Sequence, residues 1–251
     1  MRSTIISDKP VDLGLLAQLS IRSLIMASCT TAYALSDHHR SRLINPSKRD
    51  GRGITLEELR QASMEVYNID IFLAQLFTTG GNLVVQNDTF AGIFQQTVDL
   101  SDFDKHDAIE HDGSLTRKDW SQGDASSFQP ALLQALLDDS STDVLDFNTL
   151  GKSRARREKD MAARGLPPLD GKGNFIAYGE SALILETFGQ GTGMAPKAAV
   201  KTFFEEERLP DGYQKPAQLI TIPSTVALSA EIQAAAQFYK MFGKKKRNFL
   251  S

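Results

Sequence analysis

Between Asn174 and Thr187 the chain is apolar on almost every side. The run Phe175-Ile176-Ala177-Tyr178-Gly179-Glu180-Ser181-Ala182-Leu183-Ile184-Leu185 leaves a helix no face suited to water, so the pattern predicts a helix buried all round. One carboxylate, Glu180, stands in its middle. Burying an ionised carboxylate costs on the order of several kcal/mol unless it is paired or neutral. Two readings follow. Either Glu180 faces a crevice or an arginine and is merely tolerated, or it faces an active-site cavity with a raised pKa.

A second stretch bears on that choice. Glu110-His111-Asp112-Gly113-Ser114 packs two carboxylates, an imidazole and a hydroxyl into five consecutive positions. The plain reading is an acidic loop ending in a helix cap, with Ser114 or Thr116 as the cap. The other reading is a catalytic or metal-binding loop, which needs partners from elsewhere in the chain.

Composition narrows the class without naming a function. The chain has 251 residues, is 41% apolar and 24% charged, and carries a net charge of -3. That suits one well-buried core, and nothing in the balance points to nucleic acid or a membrane surface. The basic run Lys244-Lys245-Lys246-Arg247 reads as a solvated tail, or else as a targeting or anion-binding signal. A single cysteine, Cys29, excludes an internal disulfide and a multi-cysteine zinc site. The stretch from Leu13 to Ala34 is interrupted by Arg22 and so does not read as a membrane span. It resembles an imperfect signal peptide, ending in Ala32-Tyr33-Ala34, with Asp8, Lys9 and Arg22 against it. The compartment stays open between secreted and cytoplasmic.

Taken in order, the chain reads as mainly helical. A helix is expected over Leu13 to Met26, followed by a turn-rich loop from Asn45 to Gly51. Thr55 and Glu58 fit a capping box for a helix through Leu56, Leu59, Ala62 and Val66. A second helix runs from about Asp70 to Thr78 through Ile71, Phe72, Leu76 and Phe77, and Gly80-Gly81 stops it. Leu83-Val84-Val85 is a brief extended piece. Asp102 to Asp107 is polar and reads as surface. Further helices are expected over Phe128 to Leu137 and over Asp146 to Ala163, the latter with Arg154, Arg156, Arg157 and Lys159 on a solvated side. Two more are expected over Pro196 to Glu206 and Ser229 to Met241. The fold class is all-α, a compact single-domain bundle of roughly seven to ten helices. Residues 1–35 read as a leader or N-terminal segment, 36–243 as the domain and 244–251 as a basic tail.

Four stretches, in order, resemble the fungal haem-thiolate peroxidases, the group of chloroperoxidase and the unspecific peroxygenases. Glu110 to Arg117 is similar to that family's EHDxSLSR signature. Arg49-Asp50-Gly51-Arg52-Gly53-Ile54-Thr55 is similar to the segment after its proximal loop. Tyr178 to Ala182 is similar to its catalytic-glutamate helix, and Phe203 to Tyr213 to its FFxxERLPxGW element. The resemblance implies a chloroperoxidase-type bundle around a haem pocket, with haem b as cofactor and hydrogen peroxide and a small organic molecule as substrates. It implies Glu180 as the acid-base group that moves the peroxide proton, with His111 and Asp112 as a pair that orients it. It implies Glu110 and Ser114 as ligands of a Mg²⁺ or Mn²⁺ ion beside a haem propionate. A thiolate below the iron would push electron density toward O–O cleavage.

The thiolate is where the chain departs from the family, whose cysteine lies in a Pro-Cys-Pro loop. Two alignments are open. In one, Cys29 to His38 matches the family's CPALNALANH at the cysteine, Ala34, Leu35 and His38, making Cys29 the axial ligand. In the other, Asp37-His38-His39-Arg40-Ser41 matches the segment before that loop, the loop is missing, and Cys29 has no role. The resemblance thus supports a haem peroxidase, peroxygenase or haloperoxidase. The missing Pro-Cys-Pro supports a haem-free relative acting as a binding or non-redox module. Phe72, Phe77, Phe90, Phe94, Phe103, Phe175 and Phe188 are candidates for an apolar channel and, more plainly, for core.

Overall fold

The computed structural model describes residues 52, 54–80, 97–99, 102, 106, 110–125, 127–206 and 208–243. Cys29, the expected helix at 13–26, the loop at 45–51, the extended piece at 83–85, the basic run at 244–247, and Phe90, Phe94 and Phe103 lie outside them.

Strand β1 (Ile54–Thr55) leads directly into helix α1 (Leu56–Tyr67). Leu59, Ser63 and Tyr67 recur every fourth residue and are its buried stripe. Asn68 ends the helix at φ 56°, a left-handed geometry that asparagine tolerates. Its side-chain amide donates to the Pro216 carbonyl at 3.0 Å, strapping this corner to a distant segment. Asp70 caps helix α2 (Ile71–Gln75), accepting from the Leu73 N–H at 2.7 Å. This helix is shorter than the spacing predicts, because a π turn over Leu76–Gly80 replaces its second half. Its buried residues are Leu73 and Ala74, while Ile71 and Phe72 face outward. Strand β2 (Thr97–Val98) pairs antiparallel with β1.

Helix α3 (Pro130–Asp138) starts two residues later than expected, at a proline that needs no N–H partner there. It buries Leu133, Leu136 and Leu137. Strand β3 (Val144–Leu145) precedes helix α4 (Phe147–Ala163), whose cap Asp146 accepts from the Thr149 N–H at 2.8 Å. Asp170 caps helix α5 (Gly171–Phe188), the apolar helix. Strand β4 (Ala195–Pro196) pairs antiparallel with β3 and opens helix α6 (Lys197–Glu205), which buries Val200, Phe203 and Phe204. Helix α7 (Ile222–Phe242) begins seven residues before the expected Ser229. Thr221 is its cap and a proline stands in its first turn, a start signal carried outside the alanine-rich stretch. The described residues therefore form an all-α fold of seven helices with two minimal two-stranded pairings.

The central layer is α4, α5 and α7. At one end the Thr225 hydroxyl of α7 donates to Glu186 of α5 at 2.6 Å. At the other, Glu158 of α4 accepts from both Tyr178 of α5 and Lys240 of α7. Hence α5 runs antiparallel to α7. Small residues let α4 and α7 approach: a methyl on Gly151 would lie 2.5 Å from the Ala235 Cβ and 2.9 Å from the Ile232 carbonyl oxygen. The apolar core continues into edge-to-face pairs of Phe188 with Phe203 and Tyr213, at 4.9 and 6.1 Å between ring centres.

Two outcomes follow from this layer. Gly151→Ala drives a methyl into the Ala235 side chain and the α7 backbone and is expected to cost about 1–3 kcal/mol, read by denaturant unfolding. Glu186 is the second case. Burial pushes its carboxyl above the ordinary 4.5, and the Thr225 and Ser224 hydroxyls pull it partly back. Between the ordinary and the raised value the folded state binds the extra proton, so the carboxylate destabilises the fold increasingly as pH rises through that window. Glu186→Gln keeps an acceptor for Thr225 and removes the charge. Its stability relative to wild type is expected to improve from below pH 4.5 upward, measured by urea unfolding across pH.

Candidate active site

The loop from Glu110 to Asp119 contains no helix and is held by helix α4. The two residues that do this, Arg154 and Arg157, are 0% and 1% exposed, not solvated as their place in a charged run suggests. Arg154 donates to the Gly113 carbonyl at 2.8 Å and lies over the Tyr178 ring. Arg157 donates to the Ser114 carbonyl at 2.6 Å and to Asp119 at 2.9 Å. Asp119 is fully buried and also accepts from Arg164 and from the Gly113 N–H at 2.7 Å. Burial pushes the Arg157 guanidinium below its ordinary value, and the Asp119 charge pulls it back. Gly113 sits at φ +80°, and a side chain there would also meet the Met161 sulfur at 2.7 Å, so only glycine fits.

Ser114 is not a helix cap. Its hydroxyl accepts from the N–H groups of Thr116 and Arg117 at 3.3 and 3.1 Å, closing a turn inside the loop. Asp112 accepts from the Trp120 N–H at 2.7 Å, at the start of a short 3₁₀ turn (Trp120–Gln122).

The fixed loop carries His111 to Glu180. The His111 Nε2 lies 3.2 Å from a Glu180 carboxyl oxygen, 69 residues away in sequence, and both side chains are buried. The other ring nitrogen, Nδ1, is 2.6 Å from the backbone carbonyl of Asp112. A carbonyl only accepts, so Nδ1 carries a proton. Nε2 then either accepts from a protonated Glu180 or donates, as imidazolium, to the carboxylate. In both states one proton lies between Nε2 and Glu180. His111 thus meets the main chain of Asp112, whose carboxylate accepts from the Trp120 N–H.

Beside this pair is a second cluster. His106 hydrogen-bonds the Glu110 carboxylate through Nδ1, and its ring stacks on Trp120 with centres 4.7 Å apart. One donor atom each from His106, Glu110 and Asp112 lie within 4.8 Å of one another, a set that could hold a metal ion. Burial pushes the Glu110 carboxyl above its ordinary value, with His106 opposing. His106 was missed by the sequence because it lies in a polar stretch that reads as surface; its four-residue spacing from Glu110 is the available signal. Of the expected aromatic channel, Phe72 and Phe175 face solvent and Phe188 is core.

A buried acid–imidazole pair beside a candidate cation site, in a helical body, is the architecture to set against known families. A family model described as Peroxidase, family 2, matches residues 48–218, more than half of the chain. The chain belongs to the family 2 peroxidases. This is the chloroperoxidase-type family, so the chain is an oxidoreductase of the peroxidase kind, and membership implies a haem-type cofactor, hydrogen peroxide and an organic substrate. No curated protein matches it. The matched span of this family 2 peroxidase contains Glu110, His111, Asp112, Ser114 and Glu180, and begins after Cys29.

The arginine–aspartate clamp predicts a coupled loss. Arg157→Leu leaves Asp119 buried with one fewer counter-charge and the Ser114 carbonyl without its donor, at an expected cost of about 3–5 kcal/mol. Combined with Asp119→Leu, the total is expected to fall well short of the sum of the single variants, measured as a double-mutant cycle in denaturant.

Proposed function

We propose that this family 2 peroxidase is a haem-dependent peroxidase or peroxygenase. It would use hydrogen peroxide to oxidise, oxygenate or halogenate small organic substrates. The observation that carries the proposal is the buried contact of His111 Nε2 with Glu180 at 3.2 Å.

Haem b, when bound, supplies the redox centre at which the O–O bond is cleaved. The protein's part is to move a proton in a dry environment. Peroxide is weakly acidic and its distal oxygen is a poor leaving group until protonated, so a group that first takes and then returns a proton speeds both halves. Glu180 is suited to that work. Its proton is shared with His111, and the Asp112 carbonyl keeps the imidazole in one tautomer and one orientation. Ala177, Ser181 and Ile184 on the same helix are buried, as is Glu180.

Glu110, with His106 and Asp112, would hold the Mg²⁺ or Mn²⁺ ion. Oxygen ligands suit either, and the imidazole of His106 suits Mn²⁺ better. The resemblance also implies Ser114, whose hydroxyl already accepts two backbone hydrogen bonds. Cys29, the chain's one thiol, would be the residue to hold the haem iron.

The alternative is a haem-free relative, and what favours it is the sequence around Cys29, where Ser28 and Thr30 replace the family's prolines. Titration with haemin separates the two. A Soret band that saturates, together with peroxide-dependent oxidation of a phenolic dye, is expected; no haem uptake would leave only the alternative. Glu180→Gln is expected to retain haem affinity and lose about 10²–10⁴-fold in turnover. Undiminished turnover would remove Glu180 from its role, and a Cys29→Ala variant with an unchanged spectrum would remove Cys29 as ligand.

A further inference from the structure

A cleft opens on another side of α5 from His111. It lies between the end of α5, the loop holding Gly191 and Gly193, the segment from Pro216 to Ile220, and the first turns of α7. Glu186, which lines it, is six residues past Glu180. That is about 9 Å along the helix and about 240° around it, so the two carboxylates face different places. None of the lining residues belongs to the loop that carries Glu110 to Asp119. The cleft holds about 220 Å³. A single water needs only ~10–15 Å³ and a drug-sized site has ~300–1,000 Å³, so the space suits a small guest.

The walls of the cleft are held by hydrogen bonds of their own. The Gln190 amide donates to the Gln214 carbonyl at 2.6 Å. The Ile220 N–H donates to the Asn68 carbonyl at 2.9 Å, and the Ile220 carbonyl accepts from the Asp70 N–H at 2.8 Å. The Gln218 side chain packs on Gly191, which sits at φ +78°; a methyl there would lie 3.2 Å from the amide nitrogen. The cleft is therefore preformed, which spares a ligand the cost of ordering it.

The lining is apolar at Leu185, Leu219, Ile220 and Leu228, and Leu219 is 54% exposed. Glu186 is its one ionisable side chain. That carboxylate accepts from the Thr225 hydroxyl at 2.6 Å, and no lysine, arginine or histidine among the described residues pairs with it. A hydroxyl donor leaves the charge in place. We propose that this cleft binds a small organic ammonium ion, whose N–H donates to Glu186 while its apolar arm lies along Leu219 and Leu228. The charge and the apolar lining together select that partner. An anion would be repelled by the carboxylate, and a neutral alcohol would forgo the charge-assisted bond. A hard metal ion would find one carboxylate where such ions gather several oxygen ligands.

The test is isothermal titration of the full chain with hexylamine, hexanol, hexanoate and methylamine at neutral pH. Hexylamine is expected to saturate and to bind at least about tenfold more tightly than hexanol or methylamine, and hexanoate not at all. Glu186→Gln, which keeps an acceptor for Thr225, is expected to erase the preference for hexylamine over hexanol. Leu219→Ser, at an exposed position, is expected to weaken hexylamine at least about threefold and to leave methylamine unchanged. No saturable binding of hexylamine, equal binding of hexanol, a preference that survives Glu186→Gln, or full affinity in Leu219→Ser would overturn the proposal. So would a haem absorption band that shifts in step with the heat, since the amine would then be bound at the iron. A chain that takes up no haem can still pass this test, and one that oxidises a dye with peroxide can fail it.

Discussion

Two guanidinium groups inside the helical body determine the geometry of everything around the candidate site. Arg154 and Arg157 are among the most buried large side chains of the described residues. A charge so placed costs several kcal/mol in lost hydration, an order-of-magnitude figure, and is kept only when its donors are used. Here Arg157 donates to the Ser114 carbonyl and the Asp119 carboxylate, while Arg154 donates through one nitrogen to the Gly113 carbonyl and its Nε and Nη1 have no hydrogen-bond partner among the described residues. A loop with no regular backbone pairing would otherwise leave those carbonyls buried without donors. Helix α4 thus does for this loop what a neighbouring strand does for an edge strand. The precision of the His111–Glu180 contact is inherited from that clamp.

The clamp was also the least legible part of the sequence. Arg154, Arg156, Arg157 and Lys159 look like the solvated stripe of an amphipathic helix, and spacing alone cannot separate a cation facing water from one facing carbonyls. The helices themselves were legible where apolar residues recur at three and four, as in α1 and α6, or run on continuously, as in α5. Boundaries failed where the start signal lay outside the apolar pattern, as at Thr221 and Ile222. They failed again where a π turn interrupted one, after Gln75. His111 and Glu180 were legible as separate oddities, a charged loop and a carboxylate in an apolar helix. What joined them across 69 positions was family resemblance, because no local pattern encodes a contact made by tertiary packing.

Asp112 links the two halves of the site by a route its carboxylate does not suggest. Its main chain holds the His111 tautomer, while its side chain holds the Trp120 N–H and so the 3₁₀ turn. Trp120 in turn stacks on His106, which hydrogen-bonds Glu110. Asp112 thus touches both the His111–Glu180 pair and the cluster of His106 and Glu110.

Helix α5 explains how so apolar an element can be held in a single orientation. A cylinder with apolar side chains all round has little to fix its rotation, since neighbouring settings bury similar area. Three polar groups remove that freedom. Tyr178 finds Glu158, Glu180 finds His111, and Glu186 finds Thr225. At about 100° per residue these three project in different directions, toward α4, the loop and α7 respectively. A slip of one residue would break all three contacts at once and bury three unpartnered polar groups. The carboxylate that looked anomalous in the middle of the helix is thus one of the features that set the helix's register, through its contact with His111.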